Sequence, residues 1–180
     1  MILSYKHWRN GFLFFLGLFL GTAFCMKWLE TGFYYKDSLF TIIGLEISYD
    51  AGRVMEILYN LQEPVSTLLR AHLYFDFVFM AGAYGGIACL CMMARYKTRR
   101  AWLRNLLLAL ACLQLAAWGC DIRENLFLLN WLSAKTDISS TFTTYHLVVI
   151  IKWCLAISGA LLSIPLSLWK RKNGTEKSVF

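Results

Sequence analysis

Apolar residues in this chain come in long blocks, without the two-residue alternation of a half-buried strand. The blocks run from Gly11 to Leu29, from Ala71 to Met93, from Trp102 to about residue 125 (with apolar character continuing to Trp131), and from Tyr145 to Trp169. About 20 apolar helical residues, rising about 1.5 Å each, cross a hydrocarbon core of roughly 30 Å. Each block therefore predicts a membrane-spanning helix. A transmembrane barrel would need short alternating strands with aromatic girdles, and that pattern is missing. The expected fold is all-α: a four-helix transmembrane bundle forming one membrane domain over residues 1–180, with spans at about 11–29, 71–93, 102–125 and 145–169.

The connection between the first two blocks, residues 30–70, is the longest. Its stretch Leu39–Ile47 is β-branched and apolar, so it reads as a strand or an interfacial segment. Ser48 or Asp50 is placed to cap a following helix, with Val54, Ile57, Leu58 and Leu61 on one face and Arg53, Glu56 and Asn60 elsewhere. This predicts an amphipathic helix over about 50–62, serving as a cap on the bundle or a lid over a site. Pro64 ends that helix or opens the next. Ala94–Ala101 is short, so the second and third spans are antiparallel neighbours, and residues 133–143 read as a polar loop. Gly17 with Gly21, and Gly82 with Gly86, form two G-x-x-x-G pairs that let helix backbones approach closely.

Charge sets an orientation. The net charge is +7, and the surplus is concentrated at alternate helix ends. Lys6, Arg9, Arg95, Lys97, Arg99, Arg100, Arg104, Lys170, Arg171, Lys172 and Lys177 share one side with a single acid, Glu176. Glu30, Asp37, Glu46, Asp50, Glu56, Glu63 and Asp137 fall on the other side. The positive-inside rule then puts both termini in the cytoplasm, in a multi-pass protein of the cell's inner (plasma) membrane. Lys6 and Arg9 before the first apolar run also suit a signal peptide, but the run is long enough to span and no A-x-A site follows, so an uncleaved span is expected. Basic residues beside helix ends have a membrane explanation, which removes the case for nucleic acid as a partner.

The six cysteines, Cys25, Cys89, Cys91, Cys112, Cys120 and Cys154, lie in the spans or at their ends, and none forms a C-x-x-C pair. They read as small buried apolar residues and argue against a disulfide oxidoreductase. No P-loop, dinucleotide fingerprint, G-x-S-x-G or H-E-x-x-H motif occurs, so no cofactor and no metal is expected.

The informative residues are ionisable groups inside the spans. Counted along each helix from its basic end, Lys27 lies at roughly 24 Å, Asp76 and Lys152 at roughly 25 Å, Asp121 at roughly 22 Å and Glu124 at about 27 Å. All four helices thus put charge in one layer. Unpaired charge in hydrocarbon is costly, so such residues face the bundle interior and pair. Asp121, Glu124 and Asn125 share one helix face, with Gln114 and Trp118 extending the stripe. His72 lies one turn from Asp76, and Tyr145, Lys152, Gly159 and Ser163 form a stripe on the fourth helix. The expected polar cluster comprises Asp76, Asp121, Glu124, Asn125, Lys152, His72, Lys27, Arg123 and His146. In it, the two aspartates share Lys152, and Arg123 or Lys27 supplies a second positive charge. Lys27 has the competing option of snorkelling to the surface.

The stretches GLEIS (44–48), YFDFVFMAGAY (74–84) and DIRENLFLL (121–129) resemble an uncharacterised family of small bacterial four-helix integral membrane proteins. The resemblance implies the same fold and membrane location and brings no activity with it. From the residues, the favoured expectation is a non-enzymatic protein that uses the charged layer to bind a lipid, a small amphiphile, a partner's helix or a second copy of itself. The alternatives are an intramembrane enzyme using Asp76, Asp121 or Glu124 as acid or base, and a small transporter or proton-linked subunit. The orientation is testable with single cysteines at positions 36 and 97 in a background lacking the native six. An impermeant maleimide applied to intact cells is expected to label Lys36→Cys and leave Lys97→Cys unlabelled; the reverse pattern inverts the topology.

Overall fold

The computed structural model describes residues 4–134 and 138–168. In chain order these form α1 (Tyr5–Glu30), a hairpin of β1 (Tyr34–Tyr35) and β2 (Ser38–Leu39), α2 (Ile42–Glu46), α3 (Ala51–Tyr59), α4 (Glu63–Lys97), α5 (Ala101–Ala134) and α6 (Ser139–Leu168). By length and composition α1, α4, α5 and α6 can each cross a membrane. They outrun the apolar blocks that mark them. α4 has 35 residues, so it extends about 50 Å, well past the hydrocarbon core. A helix satisfies its own backbone hydrogen bonds, so its ladder continues where the sequence turns polar.

Two expectations about connections are corrected. Residues 133–143 are not a loop throughout: α5 continues to Ala134, and α6 begins at Ser139 with Phe142 already buried. Residues 135–137, Trp169 at the end of the fourth block and the basic tail beyond it lie outside the described residues. The stretch Leu39–Ile47 is mostly helical, because Thr41 caps α2 by accepting from the Gly44 N–H at 3.0 Å. Asp50 caps α3 in the same way, accepting from the Arg53 N–H at 3.0 Å, and Pro64 sits in the first turn of α4, where its missing N–H costs nothing.

Burial is reversed relative to a water-soluble protein. Gln114, Glu124, Asn125 and Ser163 are at most 1% exposed, whereas Phe14, Leu115 and Leu161 are exposed by 67–71%. Such a surface suits lipid, and the polar interior suits groups that lipid cannot satisfy. Helices α4, α5 and α6 pack on one another, while α1 packs along α4 and buries only Thr22. The α1–α4 crossing depends on Gly82. A Cβ there would stand 2.7 Å from the Phe19 backbone nitrogen and 3.1 Å from the Phe15 carbonyl oxygen. Gly85 receives the Phe15 ring in the same seam. Gly17 and Gly21 have nothing within 4 Å, so of the two G-x-x-x-G pairs it is the α4 pair that packs against described residues.

One end of the bundle carries a conventional hydrophobic core. Phe33, Ile42 and Leu45 from the connection, Val54, Ile57 and Leu58 from α3, and Leu69, Leu128, Trp131, Tyr145 and Val149 from the long helices form one buried cluster. Burial of each large side chain contributes on the order of 1.5–3 kcal/mol where water is the alternative. Lys36 and Asp37 form the two-residue hairpin turn with φ of 47° and 60°, the left-handed geometry a tight hairpin requires. Glu56 holds the hairpin onto α3, accepting from Lys36 Nζ at 2.7 Å and Tyr35 OH at 3.1 Å. At the opposite end, Lys97 donates to the Ser167 carbonyl and lies over the Tyr5 ring. The start of α1 and the ends of α4 and α6 therefore meet at one end of the bundle.

Replacing Gly82 with leucine is expected to destabilise the protein by about 1–3 kcal/mol through overpacking against the α1 backbone. Gly17→Leu is expected to stay within about 0.5 kcal/mol of wild type. Thermal unfolding in detergent distinguishes the two.

Candidate functional site

Helix period puts Gln114, Ala117, Asp121, Glu124, Asn125 and Leu128 on the buried face of α5. Opposite them, α6 buries Tyr145, Val149, Lys152, Gly159 and Ser163. The two stripes meet at Lys152. Its Nζ lies 2.9 Å from Asp121 Oδ1, 2.6 Å from Glu124 Oε2 and 3.2 Å from Glu46 Oε2. The Glu124 contact is the shortest of the three, and Glu124 is wholly buried. Tyr84 OH donates to the other Asp121 oxygen at 2.8 Å. Asp76 is held separately, its Oδ2 accepting from Asn125 Nδ2 at 2.7 Å. That amide also reaches the Leu73 carbonyl, at 3.4 Å.

Glu46 comes from α2, outside the long helices, and is the last residue of that five-residue helix. Burial pushes its carboxyl up from the ordinary range, and the neighbouring Lys152 pulls it back. Glu30 steadies α2 from α1, its Oε1 accepting from the Ile42 N–H at 3.2 Å.

Beside the cluster lies a cleft of about 430 Å³ between α1 and α6, with α4 behind it. Glu46, Asp76, Asp121 and Lys152 line one end. Phe19, Phe79, Ile87, Ala156 and Ala160 line the rest. Ala160 lies two helical turns from Lys152, so the apolar part extends roughly 12 Å along the bundle. Ile43, Trp153 and Ile157 flank it and are substantially exposed, which sets its mouth on the side of the bundle.

The structure brings together Asp76, Asp121, Glu124, Asn125 and Lys152, and it also sets His72 on the cleft wall against Phe33. Three members of the expected cluster lie elsewhere. The Lys27 side chain is 77% exposed and pairs with Glu30 at 2.7 Å, at the cleft rim. Arg123 is exposed and lies over the Phe127 ring, since it occupies the face of α5 opposite to Asp121 and Glu124. His146 stacks on Phe142 and meets Tyr49 at a tilt. Lys152 is therefore shared by Asp121, Glu124 and Glu46, with no second cation paired to them among the described residues, and Asp76 relies on Asn125 instead. Sequence reasoning missed Glu46 and Tyr84 as members. Two signals marked them: a lone acid in the apolar run LFTIIGLEI, and a tyrosine two turns beyond Asp76 on the same helix face.

Among the described residues, no three His, Cys, Asp or Glu side chains are placed to hold a metal ion. No family model matches the chain, and no curated protein or solved structure matches it.

Removing one partner of a buried ion pair leaves charge uncompensated, at about 3–5 kcal/mol. Lys152→Met, which strands three carboxylates, is expected to lose stability on that scale. Tyr84→Phe loses one hydrogen bond to a carboxylate and is expected to cost about 1.5–3 kcal/mol. Unfolding of the two variants in detergent checks the order.

Proposed function

We propose that the protein is a non-enzymatic integral membrane protein that binds a lipid or small amphiphile in the cleft between α1 and α6. The observation that carries this reading is the cleft's division into a charged end and an apolar body. Its volume of about 430 Å³ falls among ordinary small-molecule sites, roughly 300–1,000 Å³. A mouth on the side of the bundle suits entry from the bilayer. The reading includes an inner-membrane location with both termini cytoplasmic, which rests on the lysine and arginine bias. It also makes the charged end the outer one, with α3 as an amphipathic helix covering it. Val54, Ile57 and Leu58 of α3 are buried and Arg53 is exposed, which supports that role.

One observation favours a second reading, an intramembrane acid–base enzyme. Asp76 and Asp121 both face the cleft, and Asp121 is joined to Tyr84 and Lys152, a set able to hold and pass a proton. An enzyme of that kind would keep its ligand but lose turnover on Asp76→Asn.

The binding reading is tested by filling the cleft. Full-length protein and its Ala156→Trp variant are purified and their co-purifying amphiphiles compared by mass spectrometry, alongside labelling with a photoactivatable alkyl probe. Wild type is expected to retain an amphiphile and to be labelled on Ala156, Ile157 or Phe79. Ala156→Trp is expected to lose both signals while staying folded. Equal retention and labelling in the two proteins would sink the reading.

A further inference from the structure

We infer that the amphiphile's head group is a cationic hydrogen-bond donor, a primary ammonium or a close relative, seated against Asp76; this rests on the reading of the cleft as an amphiphile site. Two observations at the charged end converge on it. The first is a count of donors and acceptors. An ammonium has three N–H donors, and the three on Lys152 are surrounded by Asp121, Glu124 and Glu46. The hydroxyl of Tyr84 is committed to Asp121, and the Asn125 amide to Asp76 and the Leu73 carbonyl. Lys27, at the rim, is committed to Glu30. An anionic head group would find the lysine, tyrosine and asparagine donors at this end engaged, leaving the ring nitrogens of His72, whose Nδ1 has no hydrogen bond, and of Trp153. Acceptors are in the opposite condition. Asp76 is nine-tenths buried and lines the cleft, yet only its Oδ2 receives a hydrogen bond; Oδ1 has none among the described residues.

The second observation is the charge balance. Three carboxyl groups, on Glu46, Asp121 and Glu124, meet one ammonium, and a fourth, on Asp76, lines the same end of the cleft against the Asn125 amide. Lys27 and Arg123 are exposed and turned to other partners. Away from water such a surplus of acid is balanced by protons or by a cation. A cationic head group at Asp76 supplies the missing charge and the missing donor together. It would leave the hydrocarbon body along Phe79, Ile87 and Ala160, where the lining is apolar. Phe79 and Phe19, with ring centroids 4.9 Å apart, present aromatic surface beside it.

The test uses the purified full chain in a neutral two-chain detergent and three ligands that differ only at the head: dodecylammonium, dodecanol and dodecanoate. Affinity is read from the saturable rise in the thermal unfolding midpoint and repeated on Ala156→Trp, Asp76→Asn and Asp76→Ser. Dodecylammonium is expected to bind about tenfold more tightly than dodecanol, because a charge-assisted hydrogen bond replaces a neutral one. Either Asp76 variant is expected to narrow that preference to about threefold or less, and dodecanoate is expected to bind most weakly, since the charge surplus opposes it. Should dodecanol or dodecanoate match dodecylammonium in wild type, with binding still abolished by Ala156→Trp, the head-group inference fails and the cleft remains an amphiphile site. If none of the three shows saturable binding sensitive to Ala156→Trp, the amphiphile reading fails along with it.

Discussion

The ammonium of Lys152 is the point on which the rest of the structure depends. A lysine this deep in a bundle must be compensated, and its partners come from two different segments: Asp121 and Glu124 from α5, and Glu46 from α2. The first two lock the rotation of α5 against α6. The third carries a longer-range consequence, because Glu46 reaches Lys152 only if the whole connection after α1 folds down onto the bundle end. The hydrophobic cluster around Phe33, Leu45, Val54 and Trp131 stabilises that arrangement from the bundle end. Ion pairing and apolar burial thus act on the same segment from its two faces.

The cleft follows from how little holds α1. Between helices surrounded by lipid, the hydrophobic effect offers no drive toward contact, since acyl chains are as apolar as leucine. Close packing needs small residues, and among the described residues Gly82, Gly85 and Gly86 of α4 meet α1. Along α6 it has no such seam. The space left between α1 and α6 is apolar for most of its length and ends at the carboxylates. Gly159 of α6 serves a different contact. A Cβ at Gly159 would come within 2.6 Å of Gln114 Nε2, and that amide bridges the Leu110 and Leu155 carbonyls across α5 and α6.

Much of the site was legible because depth along a helix is a matter of counting. At about 1.5 Å per residue, Asp76, Asp121 and Lys152 fall into one layer whatever the bundle's packing. The i, i+3, i+4 spacing sets Asp121, Glu124 and Asn125 on one face in the same way. Lys27 and Arg123 lie near the same level, yet they belong to other environments, because depth says nothing of rotation. Lys27 points out to pair with Glu30 three residues on. Arg123 follows its own helix face away from Lys152. Glu46 was hidden for a further reason: it stands 106 residues from Lys152 in the chain, and no periodicity links a connection to a helix that distant.

By itself the sequence determined four helices long and apolar enough to span a membrane, the basic bias at alternate helix ends, and the level at which charge is concentrated. Each of these is a property of a single segment, fixed by composition, length and helical rise. Only the tertiary structure decided that three carboxylates converge on one lysine, that Asp76 turns to Asn125, and that α1 stands off from α6 to leave a cleft. Those depend on the rotation of each helix about its axis and on which backbones approach closely, and both are settled by contacts between segments that the local pattern does not encode.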